Sequence, residues 1–141
     1  MENREPPRPL VLVVDDEPLV HVIAGRVLER HGFDLLNAAD GLEAIEILGL
    51  AGRVPSLVIS DLRMPRMTGV ELGQWLTARY PGLPLLYISG FMDEAPPPPA
   101  GSAPQAFLGK PFTPEMLLSQ VRDLCGLVQH RGREAEAGGA A

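Results

Sequence analysis

Cysteine is nearly absent from this 141-residue chain. The single one, Cys125, excludes a disulfide framework and a cysteine-built zinc cluster. Lysine is as scarce: Lys and Arg total 12, and Lys110 is the one lysine among them. No apolar run reaches the roughly 18 residues of a membrane-spanning helix. The opening residues carry no secretion signal, so the expected compartment is the cytoplasm, with no membrane contact. A net charge of -6 and a pI near 5.0 argue against direct nucleic-acid binding. Neither GxGxxG nor GxxxxGK[ST] occurs, which leaves dinucleotide and P-loop binding without support.

What is present suits one globular domain. Hydrophobic residues are 45% and charged residues 21%, and domains most often run about 100–150 residues. Residues 1–9 are polar and proline-rich and read as a disordered lead-in; residues 129–141 lack apolar periodicity and read as a disordered tail. The folded domain is expected over 10–128.

Within it, strand and helix signals alternate. Leu10 to Val14 is a continuous apolar run that stops at Asp15-Asp16, the mark of a strand buried on both faces. Leu19, Val20, Ile23, Val27 and Leu28 recur at helical spacing, and Gly32 follows. Further strands are expected at Phe33–Ala38, Ser56–Ser60, Leu83–Ile88 and Gln105–Leu108. Asp40 with Glu43, Thr68 with Glu71, and Thr113 with Pro114 announce three helix starts. Such alternation implies an α/β three-layer sandwich around a parallel sheet. One unit breaks the rhythm. Residues 91–104 should hold a helix between the fourth and fifth strands, but Pro96–Pro99, Gly101 and Pro104 erode it.

The polar residues follow a pattern. Asp15 and Asp16 follow the first strand, Asp61 the third, Ser89 the fourth and Lys110 the fifth. The carboxyl ends of parallel strands share one edge, where open α/β sheets bind ligands. Singly, an aspartate after a strand more often caps a helix than binds a ligand. Together, the five converge. Three crowded carboxylates repel unless a cation joins them, and all-oxygen ligands suit Mg²⁺ or Mn²⁺ rather than zinc. Lysine brings a compact charge suited to a phosphoryl oxygen, and a carboxylate can act as nucleophile to form an aspartyl phosphate.

The segments Val13-Val14-Asp15-Asp16-Glu17, Ile59-Ser60-Asp61-Leu62-Arg63-Met64-Pro65, Tyr87-Ile88-Ser89-Gly90 and Phe107-Leu108-Gly109-Lys110-Pro111-Phe112 together resemble a response-regulator receiver domain of two-component phosphorelays. The resemblance covers about residues 10–128. It implies a flavodoxin-like five-stranded sheet of order 2-1-3-4-5. By position it implies that Asp61 is the phosphoacceptor, that Asp16 ligates Mg²⁺ directly beside Asp15, and that the Arg63 backbone carbonyl completes the protein ligands. It implies Ser89 as switch hydroxyl, Phe107 as switch aromatic, Lys110 as phosphate-contacting lysine, and a cis Lys110-Pro111 bond. Met64, Pro65 and Gly69 belong to the loop after the acceptor strand, and Gly90 leaves room beside the phosphoryl group.

The implied partner is a histidine kinase or histidine phosphotransfer domain, and the resemblance implies a self-modifying switch rather than an enzyme with a turnover substrate. The segments around Ser89 and Lys110 most resemble receivers attached to hybrid sensor kinases. The alternatives are a pseudo-receiver serving as an interaction module, which the complete residue set disfavours, and a small metal-dependent phosphatase. The latter lacks a cap domain and has Arg63 where its second acid would stand. His21 is expected on a solvent- or partner-facing side of the first helix, and Cys125 in or near the core.

Overall fold

In a computed structural model, residues 8–90 and 104–138 are described, with side chains of the last helix described to Gly126. The expected eroded helix and the Pro96–Pro99 run lie outside the described residues. Five strands, β1 (Leu10–Val14), β2 (Asp34–Ala38), β3 (Leu57–Asp61), β4 (Leu85–Ser89) and β5 (Gln105–Gly109), form one sheet of order β2-β1-β3-β4-β5. Every pairing is parallel. The helices are α1 (Pro18–Arg30), α2 (Gly41–Ala51), α3 (Gly69–Arg79) and α4 (Pro114–Gly138). This is the flavodoxin-like fold with the predicted strand order.

The sheet's two faces are filled by alternate residues of the same strands, because side chains along a strand point to opposite sides. Val11 and Val13 of β1, Ile59 of β3 and Ile88 of β4 meet Ala24 and Leu28 of α1 and Leu117, Val121 and Leu124 of α4. Leu12 and Val14, Val58 and Leu85 meet Ala44 and Leu48 of α2 and Leu72 and Leu76 of α3. All five residues of β1, β3 and β4 are buried, which explains their unbroken apolar runs. Burying a leucine such as Leu28, Leu72 or Leu86, each at 0% exposure, contributes about 1.5–3 kcal/mol.

The helix starts follow the expected chemistry. Asp40 caps α2 by accepting the Glu43 N–H. Thr68 and Glu71 form a reciprocal capping box at α3, and Thr113 Oγ1 accepts the Met116 N–H at α4.

Several boundaries differ from expectation: β2 starts at Asp34 rather than Phe33, β3 runs Leu57–Asp61 rather than Ser56–Ser60, and β5 reaches Gly109. β4 begins at Leu85 rather than Leu83 and includes Ser89. Pro84 has no N–H to give the ladder, and its carbonyl instead accepts the Val58 N–H. The backbone of α4 continues to Gly138, through residues expected as a frayed tail. Gln129, Arg131, Arg133, Glu134, Ala135, Glu136 and Ala137 favour helix without requiring an apolar face.

Candidate functional site

The carboxyl edge of the sheet gathers the acidic residues. Asp15 immediately follows β1, and its N–H bonds the Ala38 carbonyl at the end of β2. Its Oδ1 accepts the Glu17 N–H at 2.8 Å, which fixes the β1–α1 turn. Asp16 is exposed and does not cap α1; the N-cap is Glu17, whose side chain makes no cap bond, and Pro18 opens the helix. Asp61 is the last residue of β3 and is buried. Its Oδ1 accepts the Arg63 N–H at 3.2 Å. Oxygens of Asp15, Asp16 and Asp61 all lie within 4.8 Å of one another.

Lys110 reaches into this cluster from beyond β5. Its Nζ donates to Glu17 Oε1 at 2.6 Å and to Asp61 Oδ2 at 3.1 Å. It also stands 3.1 Å from the buried Asp15 Oδ2 and forms an ion pair with it. The Lys110 N–H is held by the Ser89 carbonyl at 2.8 Å, and Lys110-Pro111 is cis.

The electrostatics follow from burial. Burial raises the Asp15 pKa; the Glu17 N–H opposes it, Asp61 adds repulsion and Lys110 partly offsets that. Burial works against the Lys110 ammonium, yet hydrogen bonds to Glu17 and Asp61 and the Asp15 charge outweigh it and hold its pKa above the ordinary value. Among the described residues the site is thus an acidic cluster into which Lys110 brings a cation, and its crowded all-oxygen donors fit a hard divalent ion.

The other predicted residues frame this cluster. Ser89 is buried, ends β4 and pairs in register with Gly109. Phe107 is half-buried and stacks on Tyr87, with ring centroids 5.4 Å apart and planes at 21°. Met64 is buried, and exposed Arg63 and Pro65 flank an open groove beside Asp16. Gly69 starts α3 with its N–H on the Leu62 carbonyl, so close to β3 that a Cβ would lie 2.2 Å from the Asp61 carbonyl oxygen. Gly90 is exposed, with no atom of the described residues within 4 Å of a Cβ position.

Three participants carried no assigned role in the sequence reading. Glu17 makes the shortest described contact of Lys110; its place beside Asp15-Asp16 was the available signal. Arg66, with φ of 68°, directs Nε and Nη2 to Asp40 Oδ2 at 3.0 and 2.6 Å and so ties the β3–α3 loop to α2. His21 is not turned wholly to solvent: it is half-buried and bonds Asp15 and Asn37.

Residues 11–122 match the model of the response regulator receiver domain. This chain belongs to that family. It is 34% identical to the sensor kinase CckA of Brucella abortus (strain 2308) over 116 residues, covering 81% of this chain and 12% of that protein. It is also 34% identical to the response regulator MprA of Mycobacterium sp. (strain KMS), covering 81% of this chain and 49% of that one. The chain therefore spans half or less of the length of these relatives. Among solved structures, the receiver domain of the hybrid histidine kinase CckA superposes with a TM-score of 0.69 at 31% identity, over 82% of this chain and 98% of that one. No helix among the described residues is long and apolar enough to cross a membrane.

Proposed function

We propose that this receiver is phosphorylated on Asp61 and works as a two-state switch in a phosphorelay. The observation that carries the reading is the convergence of Asp15, Asp16 and Asp61 on one sheet edge with Lys110 bonded among them. An Asp61 carboxylate oxygen attacks the phosphorus of a phosphohistidine on a histidine kinase or phosphotransfer domain. The O–P bond forms, the P–N bond breaks, and the imidazole leaves with the bonding pair and takes up a proton.

Asp15, Asp16, Asp61 and the Arg63 carbonyl would hold Mg²⁺ (or Mn²⁺), which supplies positive charge to orient and neutralise phosphoryl oxygens. Lys110 exchanges a carboxylate for a phosphoryl oxygen and keeps its charge compensated. Ser89 donates its hydroxyl to the new group, and Phe107 repacks against Tyr87 as Ser89 moves. The added charge and acceptors bias the two packings for a downstream protein. The chain acts on itself and turns over no small substrate.

Incubation with acetyl phosphate and Mg²⁺ tests this. The expected result is an intact-mass gain of one phosphoryl group, removed by hydroxylamine, absent with chelator and absent in Asp61→Asn. No gain in the folded protein, with no binding of beryllofluoride, contradicts the proposal and leaves an interaction module.

A further inference from the structure

Asp15 is held at its N–H, its side chain and its carbonyl. Its N–H bonds the Ala38 carbonyl, and its Oδ1 accepts the Glu17 N–H. Its own carbonyl is met at 2.7 Å by Nε2 of His21, which reaches back from the first turns of α1. A carbonyl only accepts, so Nε2 is the donor. The other ring nitrogen, Nδ1, lies 2.7 Å from Oδ1 of Asn37, the residue before the end of β2. The Asn37 amide can turn either its oxygen or its NH₂ to the ring, so the contact persists with Nδ1 protonated or bare. The imidazole thus bridges α1, the turn after β1, and β2.

We propose that His21 is a positioning residue of the acidic site, clamping the Asp15 backbone so that its buried Oδ2, paired with Lys110, stays aimed into the carboxylate cluster. Without the clamp, the described hydrogen bonds left to Asp15 are its N–H to the Ala38 carbonyl and its Oδ1 to the Glu17 N–H, and its carbonyl has none. Partners that orient a metal ligand from behind commonly matter about 10–100-fold in affinity. The metal part of this inference rests on the proposed function; the clamp itself does not.

Two readouts separate them. One is Mn²⁺ affinity from the paramagnetic resonance of free Mn²⁺. The other is amide hydrogen exchange in metal-free protein. His21→Ala is expected to weaken Mn²⁺ binding about tenfold or more. It should speed exchange of the Asp15 and Glu17 amides selectively, leaving Val58 and Ile59 in β3 unchanged. His21→Arg, whose guanidinium has donors for both partners, should restore most of both. Asn37→Ala, at an exposed position, should show the same pattern at smaller amplitude and serves if His21→Ala does not fold. Unchanged Mn²⁺ affinity with unchanged Asp15 and Glu17 exchange overturns the inference, as does exchange that rises equally throughout the sheet. Absence of Mn²⁺ binding in the unsubstituted protein, with the selective exchange change intact, upholds the clamp and overturns the metal reading instead.

Discussion

Gly69→Ala should be the most damaging single-methyl change in the loop that carries Asp61. The new Cβ would lie 2.2 Å from the Asp61 carbonyl oxygen, 2.9 Å from Leu62 Cα and 3.0 Å from the Asp61 carbonyl carbon. A relaxed carbon–oxygen contact is about 3.3 Å, so α3 and β3 must separate by about 1 Å. All three obstacles are backbone, so no side chain can rotate away. Overpacking of this kind costs about 1–3 kcal/mol, and the rigid neighbours place this case near the top of that range.

At about 3 kcal/mol, the melting temperature of a domain this size falls by roughly 10 °C. Gly49 is the internal control: it lies in α2, is exposed, and has nothing within 4 Å of a Cβ position. There alanine should stabilise by about 0.5–1 kcal/mol through helix propensity alone. Urea unfolding followed by far-ultraviolet circular dichroism compares the two. Gly69→Ala within about 0.5 kcal/mol of the parent, or both alanines moving stability the same way, refutes the close-approach argument.

Asp15→Asn should stabilise the metal-free protein at pH 7 and abolish divalent-metal binding. The folded pKa is raised, chiefly by burial, so the penalty is absent below the unfolded value near 3.9 and grows as pH rises from there through the folded value; an equal gain at pH 3 would contradict this. Asp40 behaves oppositely: the Glu43 N–H, against the cost of burial and with help from Arg66, lowers its pKa. Its stabilisation is full above the unfolded value near 3.9 and is lost as pH falls through the depressed folded value, so Asp40→Asn should flatten the acid side of the stability–pH curve. Urea midpoints between about pH 2 and 5 check this, and an unchanged slope refutes it. Burial pushes the Cys125 thiol up to about 11, so iodoacetamide at pH 8 should label it far more slowly in the native protein than in urea. Equal rates would refute its placement in the core.

Much of this architecture was legible because its strongest signals are local. A parallel strand covered on both faces must be apolar throughout, so β1, β3 and β4 announce themselves as runs ending at Asp15, Asp61 and Ser89. Cap residues identify helix starts by chemistry that operates over three residues, as at Asp40, Thr68 and Thr113. What escaped depends on direction rather than type. Helical spacing places His21 between the buried Val20 and Ala24 but does not say that its ring turns back to the Asp15 carbonyl. Arg66 adopts a positive φ without being glycine, and its partner Asp40 lies far away in sequence. The C-terminal extension of α4 has no apolar periodicity to announce it, and its residues carry helix propensity alone.

The most direct test of the central claim locates the phosphoryl group. Protein treated with acetyl phosphate and Mg²⁺ is reduced with borohydride, which converts an acyl-phosphate aspartate to homoserine, then digested and sequenced by mass spectrometry. Homoserine at position 61, dependent on both phosphodonor and metal, is the predicted result. Homoserine at another aspartate, or none despite a folded protein, contradicts the assignment of Asp61 as the acceptor.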